Sequence, residues 1–341
     1  MQILSPNEFL DKAENTPVVD VRSPAEYAEG HIPGAVNIAL FGNEERAEIG
    51  TIYKQQGRTE AIERGLDIVG PKMSGFVKEA QALAGNGELL VHCWRGGMRS
   101  ESMAWLFERM GIQCFTLKGG YKAYRNLLLD EFAAIPNLIV LEGFTGSGKT
   151  EMIQELARQG EQILDLEGLA NHRGSVFGGV GQADQPTTQQ FQNDLLAALR
   201  KLNCEKRIWV EGESKSIGHV FLPDPFWKAM NQARIIEIEV PVEQRIKRVV
   251  KDYGQLERSR MTNAINSLHK RLGEERTNLI LELYQTNQLE QVAAMLLNYY
   301  DKAYRYSRDK YKKSYASIDL SGKNIREDAT KLVKKANELK L

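Results

Sequence analysis

The chain has 341 residues, with 45 Lys and Arg against 45 Asp and Glu, 42% apolar and 26% charged residues. That length suits two globular units, and that composition excludes disordered and fibrous classes. Met1-Gln2-Ile3-Leu4-Ser5-Pro6 is no signal sequence, no run reaches the roughly 18 apolar residues of a membrane span, and the scattered Cys93, Cys114 and Cys204 form no disulfide framework, so a reducing cytoplasm is expected.

The first block alternates strand-like and helix-like segments. Val18-Val19-Asp20-Val21 follows Pro17 as a buried strand, and Ser23-Pro24-Ala25-Glu26-Tyr27 reads as a helix start with proline at its first position. His31-Ile32-Pro33-Gly34-Ala35 is a turn before a short strand, Val36-Asn37-Ile38. Glu88-Leu89-Leu90-Val91-His92 is an apolar strand, and Glu101 to Met110 a helix with Met103, Ala104, Leu106 and Phe107 inward. Cys114-Phe115-Thr116-Leu117 is a further strand before Gly119-Gly120. The alternation predicts a mostly parallel sheet covered on both faces.

Between the last two strands lies His92-Cys93-Trp94-Arg95-Gly96-Gly97-Met98-Arg99-Ser100. A strand that delivers a cysteine, a glycine turn and a helix N-terminus together make an anion nest around a nucleophile. The amides, the helix dipole, Arg95 and Arg99 would favour the Cys93 thiolate. A lone cysteine usually sits in a core, and Cys114 and Cys204, which lack such surroundings, are expected there.

This block resembles the rhodanese-like family at Val18 to Tyr27, Gly30 to Ala35, Cys93 to Arg99 and Leu117-Lys118-Gly119-Gly120-Tyr121. The resemblance implies that the cysteine carries transferable sulfur as a persulfide, and that Asp20 and Arg22 tie loops beside the site. One departure is the arginine, six positions after the cysteine here rather than the family's usual five. His-Cys-x5-Arg-Ser is also the signature of cysteine-dependent phosphatases, so the loop by itself leaves chalcogen transfer and phosphate-ester hydrolysis both open.

Ala133-Ala134-Ile135-Pro136-Asn137 marks a boundary between a domain over 1–134 and a second over 137–341. The second opens with strand Leu138-Ile139-Val140-Leu141 and Gly143-Phe144-Thr145-Gly146-Ser147-Gly148-Lys149-Thr150, a full match to the phosphate-cradling loop G-x-x-x-x-G-K-[ST]. The amides of Thr145 to Thr150 would hold a diphosphate, Lys149 its distal oxygens, and Thr150 a Mg2+ ion. Further strands are expected over 162–166, 208–210, 235–240 and 315–320, with nearly continuous helix between Pro241 and Lys313. The expected architecture is therefore α/β throughout: a rhodanese-like parallel-sheet domain, then a P-loop NTPase-like domain with a helical insertion or extension.

Two polar loops face the phosphate loop in the usual topology of such domains. Asp165 to Ser175 contains His172 and Arg173, and the strand Ile208–Glu211 ends in an acid suited to orienting a metal or water, followed closely by Glu213. The charge is uneven, at about −4 over 1–135 and about +6 over 243–313. Within the basic stretch, Arg245 and Arg248 fall on one helix, while Tyr304, Arg305, Arg308 and Lys312 interleave rings with cations. Such side chains can meet RNA phosphates and unpaired bases, or simply pack and solvate a helix.

With both cysteine and phosphate loops, and Asp165 to Ser175 as the most specific segment, the whole chain resembles the bacterial tRNA 2-selenouridine synthase family. The resemblance implies a transferase acting on the anticodon loop of tRNA. It would convert wobble 5-methylaminomethyl-2-thiouridine to 2-selenouridine with selenophosphate, after geranylating the sulfur from geranyl diphosphate. ATP or GTP remains open as an alternative occupant of the phosphate loop. A phosphatase with a regulatory nucleotide-binding domain, or a binding module with an inactive cysteine block, are the competing classes.

Overall fold

The structure is a computed structural model that describes residues 1–173, 182–253, 258–311 and 315–341, without the side chains of 252, 253, 303, 306–311 and 315. It divides into two compact units, Met1–Glu131 and Phe132–Leu341.

The first unit runs β1 (Gln2–Leu4), α1 (Pro6–Ala13), β2 (Val18–Asp20), α2 (Pro24–Glu29), β3 (Val36–Asn37), α3 (Asn43–Gln55), α4 (Arg58–Val69), α5 (Met73–Leu83), β4 (Glu88–His92), α6 (Met98–Arg109), β5 (Gln113–Leu117) and α7 (Gly120–Phe132). The strands form one parallel sheet in the order β1-β5-β4-β2-β3. Ser5 and Ser23 each start a helix with a capping box, the glutamate three residues on closing back to the serine amide, and a proline in the first turn. Apolar residues of the central strands, Val19, Leu89 and Val91, pack with Phe76, Met103, Ala104 and Phe107 from α5 and α6. β4 ends at His92, so Cys93 emerges at the carboxyl edge of the sheet, where α/β folds place their ligands.

The second unit runs β6 (Leu138–Gly143), α8 (Lys149–Arg158), β7 (Gln162–Leu164), α9 (Leu166–Leu169), α10 (Thr188–Arg200), β8 (Ile208–Glu211), β9 (Ser216–Ile217), β10 (Val220–Phe221), α11 (Asp224–Gln232), β11 (Arg234–Glu239) and α12 (Val242–Tyr253). It continues with α13 (Arg258–Ser267), α14 (His269–Leu272), α15 (Glu274–Gln285), α16 (Leu289–Tyr311), β12 (Tyr315–Asp319) and α17 (Ile325–Glu338). Its parallel sheet has the order β12-β11-β6-β8-β7, with β9 and β10 as a separate antiparallel pair. The helical region is an insertion between neighbouring strands, because the chain returns to pair β12 with β11. It has its own core, with Ile265, Leu268, Ile280 and Leu296 at its centre. α17 then packs Ala329, Leu332 and Ala336 with Met152, Ile153 and Leu156 of α8. Among the described residues, no helix is long and apolar enough to cross a membrane.

Candidate active sites

The cysteine loop is shaped by close backbone approaches. Gly96 has φ +63°, and a Cβ there would lie 2.4 Å from the Leu117 carbonyl oxygen. Gly120 has φ +61° and faces the Cys93 carbonyl and the Gly96 amide just as tightly. The contact is fastened by Tyr121 N to Cys93 O at 2.9 Å and Lys122 N to Trp94 O at 3.0 Å. Leu117-Lys118-Gly119-Gly120-Tyr121 is thus the seat of the loop, and only glycine fits where the two backbones meet.

Cys93 is 3% exposed. Its Sγ lies 3.5 Å from the Gly97 amide nitrogen and 3.2 Å from Ser100 Oγ, which donates toward it. Burial opposes ionisation, but the Ser100 hydroxyl, the Gly97 amide, the Arg99 charge and the Ser100 amide outweigh it, so the thiol titrates below its ordinary value. Cys114 shows the same burial without the donors, and its thiol is pushed up to about 12 by burial and by Glu108. Cys114 is in the core as expected; Cys204 is exposed, because it falls in the turn after α10 rather than on a strand.

Arg99 is paired with Glu26 at 2.7 Å, so the guanidinium is held at the mouth of the loop by the same glutamate that caps α2. Arg95 is exposed. Behind the loop, Asp20 and Arg22 form a buried pair at 2.6 Å, and Arg22 also donates to the Gly30 carbonyl at 2.7 Å and stacks 3.8 Å from the Tyr121 ring centroid. Burial keeps His92, 3.7 Å from Asp20, below its ordinary pKa despite that carboxylate. Beside Cys93 opens a cleft of about 1050 Å3, walled by α3 and α4.

In the second unit, Gly146 at φ +76° and Gly148 at φ +84° turn the phosphate loop inward. Lys149 Nζ donates to the Gly143 carbonyl at 3.1 Å, and the Thr150 hydroxyl is bonded to Glu167. Ser147 is buried with its hydroxyl unpartnered, and Thr145 contributes its carbonyl to Arg245. Asp165 caps α9 through the Gly168 amide at 2.7 Å and also holds Gln154 of α8. Arg173 is exposed at the edge of the described loop; residues 174 and 175 lie outside the described residues.

Glu211, expected to orient a metal or water, closes β8. It is fully buried, and one carboxyl oxygen accepts from the Leu166 amide at 3.0 Å, bracing the ends of β8 and β7. Burial, with Asp165, Glu167 and Glu213 nearby, raises its pKa well above the ordinary value. Glu213, two residues on, is the carboxyl that feels Lys149. Burial and Glu167 push it up to about 8, against the lowering pull of that lysine.

Arg245 and Arg248, expected to face RNA, instead face the phosphate loop. Arg245 is 4% exposed, paired with Asp301 at 2.6 Å and donating to the Thr145 carbonyl at 3.0 Å, which gives it a bracing role. Arg248 donates to the Gly146 carbonyl at 2.9 Å and to Glu151 at 3.1 Å, and a Cβ on Gly148 would strike its guanidinium. α12 packs against α16, and Arg245 and Arg248, three residues apart and so on one side of the helix, both reach the loop. Tyr304 likewise packs inward, its hydroxyl 2.9 Å from Glu142 and its ring 4.9 Å from Phe144. Arg305 is exposed, with its guanidinium 5.6 Å from the Phe144 ring centroid. Arg308 has no described side chain and Lys312 lies outside the described residues.

Two residues beyond the sequence reading complete this site. His172 has a buried, unpartnered Nδ1, and burial and the nearby His219 lower its pKa. Gln185 ties their loops together, donating to the Ala170 and Ile217 carbonyls and accepting from the His219 amide, each at 2.9 Å. Neither His219 nor Gln185 sits in a motif, and only the Gly218 turn, φ +60°, hints at a close approach there.

Residues 5–127 match the family model described as the rhodanese-like domain, and residues 136–327 match the tRNA 2-selenouridine synthase AAA domain. The chain is 36% identical over 332 residues to a tRNA 2-selenouridine synthase of Sulfurovum sp. (strain NBC37-1), covering 86% of this chain and 88% of the relative. It is 34% identical over 342 residues to the Pseudomonas putida (strain GB-1) protein of that name, covering 88% and 89%. The solved N-terminal domain of a protein described as ATP/GTP-binding, from Clostridium difficile 630, is 43% identical over 38% of this chain and 99% of its own, with a TM-score of 0.36.

Proposed function

The chain belongs to the tRNA 2-selenouridine synthase family, and from that premise we propose that it is a tRNA-modifying transferase that exchanges sulfur for selenium at the wobble 2-thiouridine in two steps. The observation that carries the two-step reading is the difference between its anion cradles. One is built around an activated thiol, Cys93 with Ser100, Gly97 and Arg99; the other, around Lys149, presents amides and cations.

The Lys149 cradle suits geranyl diphosphate. The thiocarbonyl sulfur of the uridine attacks the first carbon of the geranyl chain, the carbon–oxygen bond breaks, and diphosphate departs. Loop amides, Lys149 and Arg248 would neutralise its growing charge. A Mg2+ ion suits this site: Thr150 and Glu167 would hold it, and the crowding of Glu213 by Glu167, which helps push the Glu213 carboxyl up to about 8, marks a place where a cation is favoured. Among the described residues no three acids, histidines or cysteines converge as a metal cage, so phosphate and water oxygens would complete its shell, as is usual for Mg2+. When bound, the ion would add charge neutralisation for the leaving diphosphate.

The Cys93 cradle suits selenophosphate. The nest accepts the phosphoryl oxygens, and the soft sulfur lies beside the selenium to be transferred. Selenium replaces the alkylated sulfur at C2 of the base, a far better leaving group than the bare thiocarbonyl. The test is to incubate the purified protein with 2-thiouridine tRNA, geranyl diphosphate and selenophosphate and weigh the released nucleosides. Selenouridine from the wild type, geranylthiouridine from Cys93→Ser and neither from Lys149→Ala is the expected pattern. Unchanged nucleosides with Cys93-dependent hydrolysis of an aryl phosphate would overturn it in favour of the phosphatase.

A further inference from the structure

The anion nest at Cys93 is small, yet the cleft it opens into measures about 1050 Å3. A selenophosphate or an inorganic anion needs the amides of the loop and little more. Much of the remaining lining is apolar. Phe41 and Ala61 form buried floor, Ile49 and Ile62 are half-buried, and Tyr53 and Leu66 line it while 58% and 66% exposed. Apart from Phe41, which lies just before α3, these side chains come from α3 and α4, a helical pair inserted between β3 and β4 and packed on one another. Large apolar side chains left open to water beside a reactive thiol call for an apolar ligand. Cys93, Gly97 and Arg99 stand in the wall of the same cleft.

We propose that this cleft receives the isoprenoid chain of the S-alkylated uridine, so that the first unit recognises its substrate by the group it is about to expel. The inference rests on the two-step reading above and adds a specificity pocket to its second step. The base would present C2 toward Cys93 while the ten-carbon chain lies along Ile49, Tyr53, Ile62 and Leu66. The selenium–carbon bond forms at C2 and the carbon–sulfur bond breaks with its electron pair on sulfur. The geranyl thiolate takes a proton from water, and the phosphoryl group of selenophosphate passes to water as phosphate. An unalkylated thiouridine fills none of the cleft, which gives the enzyme a physical means of refusing substrate that has not passed the first step. Lys54 and Arg58, exposed side chains of the same lining, would meet RNA phosphates.

The experiment supplies the full chain with selenophosphate and two synthetic anticodon stem-loops, one carrying S-geranyl-2-thiouridine and one S-methyl-2-thiouridine. kcat and KM for selenouridine formation are compared in wild type, Tyr53→Ser and Leu66→Asp, both substitutions at exposed positions. Wild type should prefer the geranyl RNA, and each variant should raise its KM by about tenfold, the scale of one lost leucine-sized burial, while the methyl RNA is processed as before. Equal handling of both RNAs by wild type, or a geranyl preference untouched by both variants, would overturn the pocket while leaving the two-step reading intact. If wild type converts neither RNA, the two-step reading itself fails and the pocket falls with it.

Discussion

Alanine scanning of two adjacent glycines isolates the geometry that makes Cys93 reactive. At Gly96, φ is +63° and a Cβ would stand 2.4 Å from the Leu117 carbonyl oxygen and 2.9 Å from the Gly119 and Gly120 amide nitrogens. All three neighbours are backbone and none can rotate away. At Gly97, φ is −130° and a Cβ would meet nothing within 4 Å. Gly96→Ala therefore costs about 1–2 kcal/mol for the left-handed conformation. Displacing the loop from its seat adds a comparable amount, giving about 2–4 kcal/mol in all. Gly97→Ala should change stability by under about 0.5 kcal/mol. In calorimetry of the full chain, the transition of the first unit should fall by roughly 6–15 °C for Gly96→Ala and barely move for Gly97→Ala. Alkylation by iodoacetamide, read at the Cys93 peptide because the exposed Cys204 would react as well, should slow only in Gly96→Ala. Equal behaviour of the two variants would refute the claim that backbone contact with Gly119-Gly120 sets the loop.

Asp20→Asn should destabilise the first unit by about 3–5 kcal/mol in urea unfolding, since it strands the buried Arg22 charge; a loss under about 1 kcal/mol would contradict the pairing. Glu213→Gln should stabilise the second unit increasingly from about pH 4.5 to about pH 8. Across that window the folded carboxyl, raised to about 8 by burial and Glu167, keeps a proton the unfolded chain has lost, so wild-type stability falls as pH rises; a pH-independent difference would contradict this. Gln185→Ala breaks three hydrogen bonds joining the His172 and His219 loops. It should cost about 1–3 kcal/mol and depress formation of geranylthiouridine, while selenouridine formation from S-geranyl RNA persists.

Much of this molecule was legible in its sequence where local chemistry and global fold agree. The strand at Glu88–His92, the glycine turn and the helix from Met98 place Cys93 without reference to anything distant. The phosphate loop between Leu138–Gly143 and Lys149–Arg158 is local in the same sense. What escaped depends on long-range packing. β1 is three residues long and exists because it pairs with β5, more than a hundred residues later. Helices α3 and α4 carry exposed Tyr53 and Leu66 on mixed faces, so their cleft emerges only when they lie beside Cys93. The near-continuous helical pattern after Pro241 covered α12, and charge alone suggested that Arg245 and Arg248 face outward. Their pairing with Asp301, Thr145, Gly146 and Glu151 becomes visible only in three dimensions. The bond from the Leu166 amide to Glu211 is likewise visible only in three dimensions, because an acid ending a strand can turn either to the ligand or into the protein.

The central claim, that the two cradles perform separable steps, is tested most directly by bypass. Lys149→Ala is given selenophosphate and either 2-thiouridine RNA with geranyl diphosphate or RNA already carrying S-geranyl-2-thiouridine, and the nucleosides are weighed by mass spectrometry. Selenouridine from the pre-alkylated RNA alone is the expected result, with Cys93→Ser inactive on the same RNA. Failure of Lys149→Ala on pre-alkylated RNA that wild type converts would contradict the division, and so would retention of its activity on 2-thiouridine RNA.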